Sequence, residues 1–168
     1  MRLTPIALSA AIALATMASA GHGQKPDDQI APRSLELTEQ ARTLQVSARY
    51  SEAIDLLESA LAVDPRNRQA YVGLARVAQS QKLPGKAIRF YSEALKLEPN
   101  DVNALTGQGE AYVQRGAVER AKQNLERLKS LCANPCPQAT TLSAVIAKGP
   151  PAEVMTAQAP APTTAPKP

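Results

Sequence analysis

The fold is decided by residues 68–101, RQAYVGLARVAQSQKLPGKAIRFYSEALKLEPND, whose pattern recurs 34 positions earlier and 34 positions later. Pro65 and Pro99 are separated by this distance, and small residues recur at the same interval. A fixed period of this length indicates stacked helical hairpins. The equivalent small positions are Ala41, Ala75 and Gly109, and also Ala53, Ala87 and Ala121. Arrays of this kind present extended binding surfaces, so the period points to binding and away from catalysis.

Apolar side chains recur with helical spacing between residues 34 and 131, which predicts six helices in three antiparallel hairpins. The helices are expected at about 34–48, 51–62, 67–81, 84–97, 101–114 and 117–131. Ser51 is expected to cap the second helix. Pro65 and Pro99 are expected to end the second and fourth helices, because a residue before proline is pushed out of the α region.

Each repeat resembles the tetratricopeptide repeat family through its own set of residues. The matching positions are Leu37, Ala41, Leu44, Ala53, Leu57, Ala60 and Pro65 in the first repeat; Tyr71, Leu74, Ala75, Ala87, Tyr91, Ala94 and Pro99 in the second; and Leu105, Gly109, Tyr112, Ala121 and Leu125 in the third. The pattern departs at its end, where Leu128 replaces a small residue and the closing proline moves to Pro135. The resemblance covers about 34–133 and implies an all-α fold of three helix-hairpin repeats, at 34–67, 68–101 and 102–133.

Residues 134–148 are expected to form a capping helix, because a terminal repeat leaves one apolar face uncovered. Pro137 suits its first turn and Gly149 can end it. Cys132 and Cys136 lie on either side of the junction between the last repeat and this helix. A disulfide between them would fix the angle of the cap, and closing so short a loop contributes about 2 kcal/mol.

Two other interpretations of the cysteine pair stay open. The Cys-x3-Cys-Pro pattern is similar to the copper-site motif of certain thioredoxin-fold assembly proteins, which need a distant histidine and a strand-rich domain. The chain has a single histidine, His22 beside the expected cleavage site, and no strand pattern. A redox-active pair is the second alternative. Either would make the protein a thiol-redox or metal-handling periplasmic protein.

Residues 1–20 have the pattern of a secretory signal peptide. Arg2 precedes an apolar run over 6–17, and Ala18-Ser19-Ala20 fits a cleavage site. The run is too short for a bilayer core of about 30 Å, which argues against the alternative of an uncleaved membrane anchor. A periplasmic or secreted protein is expected, in an envelope of bacterial type.

Two further segments are expected to lack a fixed fold. Residues 21–33 are expected to be a flexible linker, and residues 149–168, with six prolines, a disordered tail. An alternative function is that this tail acts as a structural tether.

The charge and composition argue against several classes of function. The net charge of +4 is mild, and the chain has no Trp, one Phe and four Tyr. Nucleic-acid binding needs a clustered basic face or stacking aromatics, so it is not expected. No serine has a histidine partner, and no glycine-rich loop follows a strand, so neither an active site nor a cofactor is expected.

In the tetratricopeptide repeat family, the first helices of successive repeats line a concave groove that holds peptides. The repeat register places these positions in the groove: Leu35, Thr38, Arg42 and Gln45; Gln69, Val72, Arg76 and Gln79; and Asn103, Thr106, Glu110 and Val113. The resemblance therefore implies a protein-interaction adaptor with a protein or peptide partner.

Arg42 and Arg76 are 34 positions apart and are expected to point into the groove from adjacent repeats. Two guanidinium groups there could hold the carboxylate of an acidic side chain or of a free C-terminus. The alternative is a solvated charged face in which Arg76 pairs with Glu110. Gly73 and Gly107 are also equivalent, and they either open the groove floor to a ligand or simply weaken their helices. The fuller set of Lys, Asn and Arg that chaperone-binding members use is absent, so that specificity is not carried over.

Overall fold

In the computed structural model, which describes residues 29–132 and 135–157, seven successive helices pack against one another. The helices are α1 (Pro32–Val46), α2 (Tyr50–Val63), α3 (Arg68–Ser80), α4 (Pro84–Leu97), α5 (Val102–Gln114), α6 (Val118–Leu131) and α7 (Pro137–Lys148), followed by the short α8 (Ala152–Ala157). Each of the first three pairs is a helical hairpin, and consecutive hairpins pack through α2 with α3 and α4 with α5. The all-α fold of three hairpin repeats with a capping helix is confirmed.

The starts of two helices, α3 and α5, are fixed by side-chain caps. Asn67 caps α3 by accepting a 3.2 Å hydrogen bond from the backbone N–H of Ala70. Asp101, the equivalent residue one repeat later, caps α5 by accepting from the N–H groups of Asn103 and Ala104. Both supply an acceptor to amides that have no partner within the helix. The expected cap at Ser51 is wrong: α2 already begins at Tyr50, and its N-cap residue is Arg49 without a side-chain hydrogen bond.

The turn inside each hairpin repeats the same left-handed conformation. Ala48, Lys82 and Gly116 have φ of 56°, 58° and 84°, and they are 34 positions apart. In each turn the following N–H reaches back across the helix end; that of Arg49, for example, donates to the carbonyl of Leu44 over 2.9 Å. This closure satisfies carbonyls left open at the helix end. The 34-residue period therefore applies to the backbone conformation of the turns as well as to the packing of the helices.

Three apolar clusters hold the stack together. The first joins α1 and α2 to α3, the second joins α3 and α4 to α5, and the third joins α5 and α6 to α7. Buried alanines at the equivalent small positions allow the helix axes to approach closely. Buried polar contacts also link the repeats, since Asn67 donates to Ser34 Oγ over 2.8 Å and Arg68 pairs with Asp101 over 2.8 Å.

The ends of the described region differ from expectation in two places. The first helix starts at Pro32, inside the segment 21–33 expected to be a linker, because proline fits the first turn of a helix. A short helix at Ala152–Ala157 lies within the tail 149–168 that was expected to lack regular structure. Residues 158–168 of that tail, residues 21–28 of the expected linker and the expected signal peptide at 1–20 lie outside the described residues. None of the described helices combines the length and the apolar character needed to cross a membrane.

Candidate protein-binding groove

The surface formed by α1, α3 and α5, here called the groove, contains two adjoining depressions. The first is a cavity of about 250 Å³. The second is more open and lies toward the C-terminal ends of the same helices. Twelve residues line the first cavity: Thr38, Glu39, Arg42, Gln45, Leu57, Arg68, Gln69, Val72, Gly73, Arg76, Asp101 and Asn103. Seven line the second: Gln45, Val46, Arg76, Gln79, Ser80, Glu110 and Gln114.

Most of the positions assigned to the groove from the sequence lie together in these depressions. The first cavity contains Thr38, Arg42, Gln45, Gln69, Val72, Arg76 and Asn103, and the second adds Gln79 and Glu110. Thr106 lines neither depression, and its hydroxyl donates to the carbonyl of Val102 in its own helix. Leu35 and Val113 line neither depression either, and Val113 is 2% exposed.

The two arginines expected to act together differ in their surroundings. Arg42 forms a two-pronged ion pair with Glu39 on its own helix, with Nη2 2.6 Å from Oε1. Hydrogen bonds from Arg42 hold the pKa of the Glu39 carboxyl below its usual value. Among the described residues, no ion pair includes Arg76. The two guanidinium groups that were expected to act together therefore differ. That of Arg42 is paired with Glu39, whereas that of Arg76 has no carboxylate at ion-pair distance among the described residues.

A polar cluster surrounds the second depression. The buried Tyr91 of α4 reaches between α3 and α5 and donates its hydroxyl proton to Gln79 over 2.7 Å. Burial raises the pKa of this phenol to about 12, so it stays protonated and remains a donor at neutral pH. Burial also raises the pKa of Glu110, against the opposing effects of a hydrogen bond with Gln79 and the charge of Arg76. Arg76 and Glu110 thus influence each other without forming the ion pair considered from the sequence.

Gly73 lines the first cavity and Gly107 lines neither depression, but at both glycines a neighbouring side chain already fills the space next to the Cα atom. A Cβ at Gly73 would lie 2.7 Å from Cδ2 of Leu57, and one at Gly107 would overlap the ring and hydroxyl of Tyr91. Each glycine therefore makes room for a large side chain from the second helix of the preceding repeat. A sequence signal existed, because Leu57 and Gly73 are separated by the same 16 positions as Tyr91 and Gly107.

Other contributors to the groove were missed from the sequence. Glu39 lines the first cavity as the partner of Arg42, and their three-residue spacing on one helix is a known signal for ion pairing. Arg68 and Asp101 close one end of the same cavity through an ion pair between repeats. Val46, 85% exposed, adds an apolar patch to the second depression.

The cysteine pair lines neither depression and lies at the junction of α6 and α7, where Cys132 ends one helix and Cys136 precedes the other. The sulfur atoms of Cys132 and Cys136 are within bonding distance, and their Cα atoms are 5.5 Å apart. Cys136 is buried in the third apolar cluster with Leu128 and Leu142, which favours a structural bond. In the part of the chain that the structure describes, no three His, Cys, Asp or Glu side chains are grouped to hold a metal. His22 lies outside the described residues.

The stacked hairpins and their lined groove define a helical-repeat module of the protein-interaction class. Within that class, the sequence profile described as "Tetratricopeptide repeat" matches residues 38–102 and 84–129, which together exceed half of the chain. The chain belongs to the tetratricopeptide repeat family.

Curated relatives share only part of their length with this chain. A probable UDP-N-acetylglucosamine–peptide N-acetylglucosaminyltransferase SPINDLY of Hordeum vulgare is 27% identical over 99 residues, covering 59% of this chain and 10% of that protein. The human DnaJ homolog subfamily C member 3 is 32% identical over 95 residues, covering 54% of this chain and 19% of that protein. The chain therefore spans between a tenth and a fifth of the length of these relatives.

Solved structures of similar fold include peptide complexes. The first repeat domain of Spaghetti (RPAP3), bound to the HSP90 peptide SRMEEVD, is 25% identical with a TM-score of 0.63, and the match covers 69% of this chain and 91% of that chain. The type III secretion chaperone SycD of Yersinia enterocolitica, in complex with a peptide of the translocator YopD, is 22% identical with a TM-score of 0.60, covering 71% of this chain and 92% of that chain. The second likeness is one of fold alone.

Proposed function

We propose that this protein is an exported adaptor or assembly factor of the cell envelope, and that it binds a peptide segment of a partner protein in the groove. The observation that carries the proposal is the first cavity, where side chains from α1, α3 and α5 meet on one face. At about 250 Å³ it is smaller than the roughly 300–1,000 Å³ typical of small-molecule pockets. It suits one or two side chains of a peptide better than a cofactor.

The lining of the groove supports recognition of a peptide backbone. The first cavity has four amide or hydroxyl side chains beside its charged residues, and such groups can donate to or accept from main-chain atoms; they are Thr38, Gln45, Gln69 and Asn103. The resemblance to a repeat domain solved with a bound peptide supports the same function. No enzymatic role is proposed.

Site-specific photo-crosslinking tests the groove. A photoreactive amino acid replaces Gln69, exposed in the groove, or Gln123, exposed on α6 and outside both depressions. Irradiation of intact cells followed by mass spectrometry should give partner adducts from position 69 and few from position 123. Equal adducts from both positions, or adducts from position 123 alone, would reject the groove as the binding site.

The proposed export rests on the pattern of residues 1–20. Cell fractionation and N-terminal sequencing of a C-terminally tagged full chain test it. The mature protein is expected in the envelope fraction, beginning at residue 21. A cytoplasmic chain that retains residues 1–20 would exclude export and leave the groove proposal to stand on its own test.

A further inference from the structure

We infer that the groove holds one acidic side chain of its peptide ligand, that Arg76 alone supplies the ion-pairing cation, and that Arg42 does not share this role. The inference rests on the proposed function and specifies the chemistry of its ligand. It replaces the two-arginine site expected from the repeat register with a site for a single carboxylate.

The pairing of charges in the first cavity singles out Arg76. Three arginines and two carboxylates line this cavity. Glu39 is held by Arg42, and Asp101 by Arg68 over 2.8 Å. Both carboxylates that line the cavity thus already have an arginine partner. Within the lining of the first cavity one positive charge remains in surplus, and it lies on Arg76, which takes part in no ion pair among the described residues. Glu110, which also interacts electrostatically with Arg76, lines only the second depression. A monoanion complements this balance, since a second anion would have to displace an existing partner.

The location of Arg76 favours an internal side chain over a chain end. Arg76 and Gln45 line both depressions, so they stand where the two depressions join. A peptide that occupies both depressions passes Arg76 in mid-chain. The cation therefore meets an aspartate or glutamate side chain and not a terminal carboxylate.

The surroundings of Arg76 orient it and restrict the direction of approach. The hydroxyl of Tyr91 and the carboxylate of Glu110 both lie close enough to interact electrostatically with Arg76. Glu110 lines the second depression and is absent from the first. Glu110 would repel a second carboxylate in the depression that it lines. The carboxylate of the ligand therefore enters the first cavity, while an uncharged or basic residue of the ligand occupies the second depression.

Peptide libraries test this assignment with the full chain expressed in an oxidising compartment. Three immobilised sets of short peptides carry randomised uncharged residues around one fixed position. The first set has an internal glutamate and an amidated C-terminus, the second an internal glutamine and a free C-terminal carboxylate, and the third an internal glutamine and an amidated C-terminus. Fluorescence polarisation then gives affinities for the retained peptides.

Four variants accompany the wild-type chain. Arg76→Gln removes the surplus charge, and Arg76→Lys keeps the charge without the planar fork. Glu39→Gln with Arg42→Gln removes the neighbouring ion pair while leaving the net charge unchanged. Arg89→Gln removes one charge from an exposed position of α4 that lines neither depression. Circular dichroism and thermal unfolding verify that each variant is folded.

The wild type should prefer the first set over the third. Arg76→Gln should lose roughly tenfold or more in affinity for glutamate peptides, because a hydrogen-bonded ion pair is lost. Arg76→Lys should retain part of the preference. The Glu39/Arg42 double variant should change affinity by less than about threefold, since exposed pairs contribute little, and Arg89→Gln should match the wild type.

Other results would overturn the inference in distinguishable ways. Equal affinity for all three sets rejects the carboxylate and leaves peptide binding intact. A preference for the second set assigns the groove to chain ends. A loss in the double variant equal to that in Arg76→Gln restores a shared site. If no set is retained by any folded variant, both this inference and the proposed function fail.

Discussion

At the scale of single residues, Gly107 shows how a position in the groove helix serves the core. It lies on α5 directly beneath the ring of Tyr91, which comes from the second helix of the preceding repeat. The same relation holds between Gly73 and Leu57 one repeat earlier. The equal 16-residue spacing shows the two pairs to be equivalent, but it does not show that the leucine and tyrosine side chains lie over the glycines. That depends on how one hairpin is rotated against the next, which is a property of the packed array.

Gly107→Ala should destabilise the protein by about 1–2 kcal/mol. The added methyl would overlap Cζ and Oη of Tyr91, and overpacking of this kind costs about 1–3 kcal/mol. The better helix propensity of alanine returns up to about 1 kcal/mol. Urea unfolding followed by circular dichroism measures the difference.

Gly85→Ala is the matched control for this substitution. A Cβ at Gly85 meets only Nη1 of Arg115, at 3.9 Å, within the first turn of α4. This variant should be neutral or more stable than the wild type, by up to about 1 kcal/mol. Equal stability of the two alanine variants would show that Tyr91 moves aside without cost.

At the scale of elements, α7 occupies the place that the first helix of a fourth repeat would take. It packs against α5 and α6, and its fully buried Leu142 fills the space over Gly109. The uncovered face of the last repeat, together with Pro137 and Gly149, suffices to predict this helix. The 34-residue period does not extend to it, so its contact with Gly109 could not be anticipated. The short α8 was missed because its six residues are too few to show a helical period.

Replacing both Cys132 and Cys136 with serine should cost about 2 kcal/mol, the loop-closure contribution of so short a cross-link. Leu142→Ala should cost more, about 2–5 kcal/mol, because it leaves a cavity in the third apolar cluster. Chemical denaturation gives both values, and amide exchange in α7 reports whether the helix stays docked.

The comparison of these two variants decides what holds the capping helix. We expect α7 to remain protected in the serine variant and to exchange rapidly in Leu142→Ala. A serine variant that is as destabilised as Leu142→Ala, with α7 equally unprotected, would make the cross-link the main determinant of docking.

At the scale of the whole molecule, the array is held by contacts between neighbours in the chain order. The bounds of the six repeat helices agree with the sequence pattern to within two residues, because the same small and apolar positions recur in each hairpin. The groove positions follow from that register as well. The pairing of Arg42 with Glu39 does not, since it depends on the side-chain conformations of two exposed residues and not on the period. The architecture can therefore be predicted from the 34-residue spacing in the sequence. Which charged side chains are available to a ligand cannot be predicted in this way.

Stability should be distributed along this array in a graded way. The helix α3 packs against α1, α2, α4 and α5, whereas α1 packs mainly against α2 and α3 and α7 against α5 and α6. In such quasi-linear arrays each repeat is supported by its neighbours, so elements with neighbours on both sides open least often. Amides in α3 and α4 should therefore exchange with solvent more slowly than those in α1 and α7.

Two leucine-to-alanine variants in the same apolar cluster test this gradient. Leu37 on α1 and Leu74 on α3 are both buried, with exposed fractions of 6% and 3%, so each substitution should cost about 2–5 kcal/mol. Hydrogen–deuterium exchange with mass spectrometry should show faster exchange confined to α1 and α2 in Leu37→Ala. Leu74→Ala should accelerate exchange in all three hairpins, because it weakens the repeat that the other two are packed on. If Leu37→Ala accelerates exchange in α5 and α6 as much as Leu74→Ala does, the molecule opens as a single unit and the graded array is rejected.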